Sequence, residues 1–265
     1  MRGAAPGRYF LSWMGEQLAA SPLAKELGKT ELTFGDVKRR DLPARADVPD
    51  VSDLQYERAT YRLHVIGSDI TTGRMIILPD DLPDYTDEAG KPFDKDSFPI
   101  VEAVRMSMSY PFLFTPVVLH RDGKPVYVVD GGLLSNFPIW LFDGSHPTRP
   151  TWGFRLHGGS SVDEGLPYRK IPRPLWEVPL LKAMFSAATE AWDREQLSHA
   201  TSARTVSIPT HQISTTDFGL TRAEAESLYA WGVNAAHDFF TAPDQKAYVN
   251  SFGKALEQDQ VAVAQ

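Results

Sequence analysis

The sequence predicts an α/β domain, and three observations carry that prediction. Apolar segments of strand length alternate along the chain with segments of helical period, the order expected of an α/β domain with a largely parallel sheet. The clearest helix signal runs from Thr221 to Phe240. There Thr221 and Glu224 form a capping box, and Leu228, Gly232, Ala235 and Phe239 recur at three to four residues on one side. Val126 to Val129 reads as a short apolar strand that leads straight into Asp130, Gly131 and Gly132.

From the N-terminus, Tyr9 to Ala19 reads as a helix, with Phe10, Met14 and Leu18 four apart. Ser21-Pro22 and Gly28 break the chain after it, and Lys29 to Val51 reads as a polar, irregular connection on the surface. Tyr61 to Ser68 and Arg74 to Leu78 predict a strand hairpin around the turn Asp69 to Gly73. The acidic, breaker-rich stretch from Pro79 to Asp96 predicts an excursion loop. Its carboxylates lack the spacing of a calcium loop. Pro99 to Met108 predicts a short buried helix that stops before Pro111. Pro138 to Phe142 predicts a helical turn, Trp152 to Leu156 and Val206 to Ile208 strands, and Trp176 to Ala200 a long helix. The tail from Val261 is expected to fray.

Composition narrows the chemistry. A formal net charge of -7 argues against broad nucleic-acid binding, which needs a basic face. The absence of cysteine removes disulfides, thiolate nucleophiles and zinc–thiolate sites. The first residues carry no apolar signal-peptide core, and no stretch is long and apolar enough to span a bilayer. A cytoplasmic or peripheral membrane location is the expectation.

Asp130 is the candidate functional residue. In open α/β sheets, working groups gather at the carboxyl ends of strands. Gly131 and Gly132 would allow unusual backbone angles and the close approach of another chain or a ligand. Asp-Gly is also ordinary turn chemistry, and for these three residues alone the turn is the simpler reading.

The flanking residues add to this. The segments "FPIVEAVRMSMSYPFLFTPVVL", "VYVVDGGLLSNFPI" and "YRLHVIGSDITTGRMIILP", together with the closing helix, resemble the C-terminal half of the patatin-like phospholipase family, in the family's order from about Gly7 to Phe240. The resemblance implies a three-layer α/β/α sandwich, here incomplete on its N-terminal side. It implies hydrolysis of acyl esters, often lipids, by a serine and an aspartate without histidine, metal or organic cofactor. Asp130 matches the family's aspartate, the general base. A serine hydroxyl needs a base within about 2.6–3.2 Å, and a carboxylate at a strand end can supply that contact directly.

The serine is missing from the pattern. No serine stands in G-x-S-x-G; Ser160, Ser161 and Ser251 each match on one side only. No glycine-rich oxyanion loop is found in residues 1 to 60. Both elements are expected upstream of the first helix. Ser107 and Ser109 read as packing residues, and His146, His157, His199, His211 and His237 as structural ones. A magnesium role for Asp130 lacks a second acidic ligand and a phosphate-cradling loop.

The expected organisation is a partial acyl hydrolase domain over residues 1–240, followed by a C-terminal helix and tail over 241–265. Expected partners are a lipid or ester substrate, a peripheral membrane contact and a second chain supplying the missing half. The apolar run Arg173 to Trp192 could face lipid at one end, although such stripes usually pack a core. A non-catalytic lipid-binding or interaction module is the alternative.

Overall fold

The computed structural model describes residues 5–49, 51–135, 137–143, 150–158, 203–211, 213 and 219–250. The expected helix Trp176–Ala200, His146, His199, Ser160, Ser161, Ser251 and the tail lie outside the described residues. The described residues fall into two compact units, one over 5–135 and one over 137–250.

The first unit begins with helix α1 (Arg8–Ala20), as the apolar spacing predicts. Ser21, Pro22 and Gly28 do not merely break the chain. They bound a second helix, α2 (Pro22–Leu27), in which Ser21 Oγ accepts from Ala24 N–H, Pro22 opens the first turn and Gly28 closes it at φ 64°. The polar connection after α2 lies mostly on the surface, as expected, but its first part is anchored. Phe34 is fully buried within it, and Asp36 accepts from Thr33 N–H at 2.9 Å and from Lys29 Nζ at 2.6 Å. Helix α3 (Asp53–Thr60) has no counterpart among the expected elements; Ser52 and Gln55 form its capping box.

Strands β1 (Val65–Asp69) and β2 (Arg74–Leu78) make the expected antiparallel hairpin. The first strand starts later than predicted. Tyr61 is instead buried ahead of it, with its hydroxyl donating to Asp96 Oδ1 at 2.6 Å. Asp69 closes the hairpin by accepting from Thr71 N–H, Thr72 N–H and Thr72 Oγ1. Helix α4 (Ile100–Ser107), β3 (Val117–Arg121) and β4 (Lys124–Asp130) complete the unit. The sheet order is β2-β1-β4-β3, and every pairing in it is antiparallel. The expectation of a largely parallel sheet therefore fails for these four strands. Short hairpin connections join β1 to β2 and β3 to β4, and such turns reverse the chain. Ala103 and Met106 of α4 share one core with Val65, Ile76, Leu78, Leu119, Val126 and Val128 of the sheet.

The second unit contains the helical turn Ile139–Phe142, strands β5 (Gly153–Gly158) and β6 (Thr205–His211), and helix α5 (Arg222–Thr241). The two strands pair in parallel. The capping box of α5 forms as predicted, and Leu228, Gly232, Ala235 and Phe239 are its partly buried side. Residues 243–250 are helical as well. Among the described residues, no helix is long and apolar enough to cross a membrane.

Candidate active site

Asp130 is the last residue of β4 and caps the 3-10 turn Gly131–Leu133 that comes next. Strand alternation places it on the same face as Val126 and Val128, which are buried in the core. The carboxylate is thus carried to the rim of the core by the strand itself.

Three neighbours define its setting. On β1 the residue directly opposite is Gly67, so the cross-strand position beside Asp130 carries no side chain. The Asp130 N–H donates to the Ser109 carbonyl at 3.0 Å, which pins the strand end to the loop after α4. The Asp130 Oδ1 accepts from Gly132 N–H at 2.8 Å.

The two glycines act differently from expectation. Neither has a positive φ, because a 3-10 turn needs none. Gly131 is required for space: a Cβ there would lie 2.1 Å from the Ile66 carbonyl oxygen. Its own carbonyl accepts from Ser68 Oγ at 3.3 Å and Ser135 N–H at 2.9 Å. Gly132 contributes the N–H that holds the carboxylate.

Burial pushes the Asp130 carboxyl above its ordinary value, and the Gly132 hydrogen bond only partly opposes this. Among the described residues, no cation contributes to the shift. Tyr110 is within electrostatic reach: burial first, then the Asp130 charge, holds its phenol above the usual range. The result is a carboxylate that is half-buried, held by the Gly132 N–H and more basic than a surface aspartate. Such a group can accept a proton from an alcohol near neutral pH better than an exposed aspartate can.

The other candidates offer no nucleophile beside the carboxylate among the described residues. Ser109 is fully buried and bonded to Arg105, as a packing residue would be. His157 lies near the end of β5, His211 stacks edge-on against Trp231 at 4.3 Å, and His237 is exposed beside Asp238. All three belong to the second unit. Sequence reasoning misses Gly67, Tyr110 and Arg105. The glycine inside "VIGSD" is the legible signal, since an isolated glycine in a strand marks a close approach.

The segments that build this site are those matched by a family model. Residues 1–143, more than half of the 265-residue chain, match the model described as patatin-like phospholipase. The chain belongs to the patatin-like phospholipase family. That match holds all the described residues of the first unit, including Asp130, and ends just after the helical turn Ile139–Phe142. The patatin-like fold is of the α/β class, consistent with helices combined with antiparallel and parallel sheets here. The chain is also similar to the "Uncharacterized protein YqhO" of Bacillus subtilis (strain 168). The two are 37% identical over 170 residues, which cover 64% of this chain and 54% of that protein. This patatin-like chain spans about half the length of the curated relative it matches.

Proposed function

We propose that this chain supplies the aspartate of a Ser–Asp acyl hydrolase acting on carboxylic esters of lipids. Asp130 takes the proton of a serine hydroxyl as the oxygen attacks the ester carbonyl, and returns it to the departing alkoxide. The acyl-serine is then hydrolysed by a water that Asp130 deprotonates in the same way. No metal or organic cofactor enters this scheme. The observation that carries the reading is the setting of Asp130: a strand-end carboxylate facing Gly67, raised by burial and held by one N–H. Family membership supports the ester-hydrolase class.

No serine of this chain stands in G-x-S-x-G. The proposal therefore includes that these residues alone do not hydrolyse esters, and that the nucleophile comes from outside them, on the same polypeptide or on a second chain. A fluorophosphonate probe should leave this chain unlabelled. It should label a longer polypeptide that adds a G-x-S-x-G segment, and Asp130→Asn in that polypeptide should abolish ester hydrolysis. Labelling of the present chain would overturn the first part, and full activity of the Asn variant the second.

The missing elbow serine favours a second reading, a non-catalytic lipid-binding module that keeps the fold. Binding to phosphatidylcholine vesicles, with no hydrolysis by any longer polypeptide, would select it. A peripheral contact with a membrane surface belongs to either reading.

A further inference from the structure

Arg105 is a cation buried within the first unit, 3% exposed, in the last turn of α4. Its neighbours on the buried side of that helix are Ile100, Ala103 and Met106. Burying a charge among such residues is costly unless its donors are satisfied. Both terminal nitrogens are met by neutral oxygens. Nη1 donates to Ser109 Oγ, and Nη2 donates to the carbonyls of Pro6 at 3.0 Å and Thr115 at 2.9 Å. The guanidinium also lies 5.4 Å from the centre of the Phe114 ring. Ser109, itself fully buried, completes the arrangement by donating its hydroxyl to the Arg105 carbonyl at 2.8 Å. Gly7 makes room for the fork: its φ is 76°, and a Cβ there would meet Arg105 Nε at 2.1 Å.

A side chain needed only to fill this space would not need a charge. The donors have a specific consequence, because the residue they grip also holds the site. Ser109's carbonyl accepts the Asp130 N–H at 3.0 Å. The same fork ties the Ala5–Gly7 segment to Thr115, where Ala5 and Leu113 already share a backbone hydrogen bond at 2.8 Å.

We propose that Arg105 is a positioning residue for Asp130, acting through Ser109: the guanidinium fixes the Ser109 side chain, and the Ser109 carbonyl fixes the strand end that carries the carboxylate. This deepens the function proposed above and rests on its reading of Asp130 as the working carboxylate. Planar forked donors make Arg suited to gripping several oxygens at once.

The test is a carbon-13 NMR titration of the side-chain carboxyls in the full chain, with the Asp130 signal assigned by its loss in Asp130→Asn. Arg105→Met keeps the apolar stem and removes the donors. Ser109→Ala removes both hydroxyl bonds to Arg105 and leaves the guanidinium contacts to Pro6 and Thr115. Asp81, raised chiefly by burial in the same unit, is the internal reference. In both variants the Asp130 midpoint should fall toward the ordinary carboxylate value as the strand end takes up water, while the Asp81 midpoint stays in place. An unmoved Asp130 midpoint in a folded variant overturns the proposal. So does an equal fall at both carboxyls, which would reduce Arg105 to general packing. Should Arg105→Met fail to fold, Ser109→Ala decides alone. The titration needs no turnover, so an active Asp130→Asn enzyme would end the catalytic reading without touching this result.

Discussion

Burial sets Asp130 against the stability of the fold at neutral pH. Its folded pKa is raised above the ordinary 3.8, so the folded state binds the proton more tightly than the unfolded chain does. Stability is then greatest below the unfolded value and falls as pH rises through the raised folded value. Asp130→Asn, which can still accept from Gly132 N–H, should therefore melt higher than the parent at pH 7. The difference should close by about pH 3, where both side chains are neutral. A melting-temperature series across that range checks the sign. Gly131 supplies a steric counterpart. Gly131→Ala drives a methyl against the Ile66 carbonyl and should cost about 3 kcal/mol in chemical denaturation, the upper end for overpacking, because a backbone atom cannot turn aside. A loss under about 0.5 kcal/mol, typical of a surface change, would contradict the packing described.

Elements are legible wherever their stop and start chemistry is local. Helix α5 forms from its capping box, with Thr221 N–H donating to Glu224 Oε2 at 2.8 Å and Glu224 N–H to Thr221 Oγ1 at 3.3 Å. Thr221→Ala should lower stability by about 1 kcal/mol in a denaturant melt. Helix α3 carries the same signature at Ser52 and Gln55, but its polar composition hides the apolar period by which a helix is recognised. Ser21-Pro22 illustrates a related ambiguity. A proline after a serine starts a helix as readily as it breaks one, since the first turn has no use for that N–H. The start of β1 is misplaced in the sequence because Tyr61 looks like a strand residue by period. Its hydroxyl partner, Asp96, lies 35 positions away and is invisible to any local window.

At the scale of the whole molecule, the core of the first unit recruits residues that composition assigns to the surface. Leu82 and Tyr85 come from the acidic segment after β2, yet they are 0% and 1% exposed. Leu82→Ala should therefore cost about 3 kcal/mol, a core value, in equilibrium unfolding. A near-neutral result would return that segment to the status of a solvated loop. Without any structure, the sequence was enough to establish the α/β class, most of the helices, the β1–β2 hairpin and the Asp-Gly-Gly turn at the end of an apolar strand. These rest on caps, periods and turn residues that act over a few positions. Tertiary structure alone decided that β1 pairs antiparallel with β4, that Gly67 stands opposite Asp130 and that Ser109 grips its N–H. It also decided that a buried arginine stands behind that grip. Those are relations between residues distant along the chain, fixed by strand register and by which groups lose their water together, and no short window of residues encodes either.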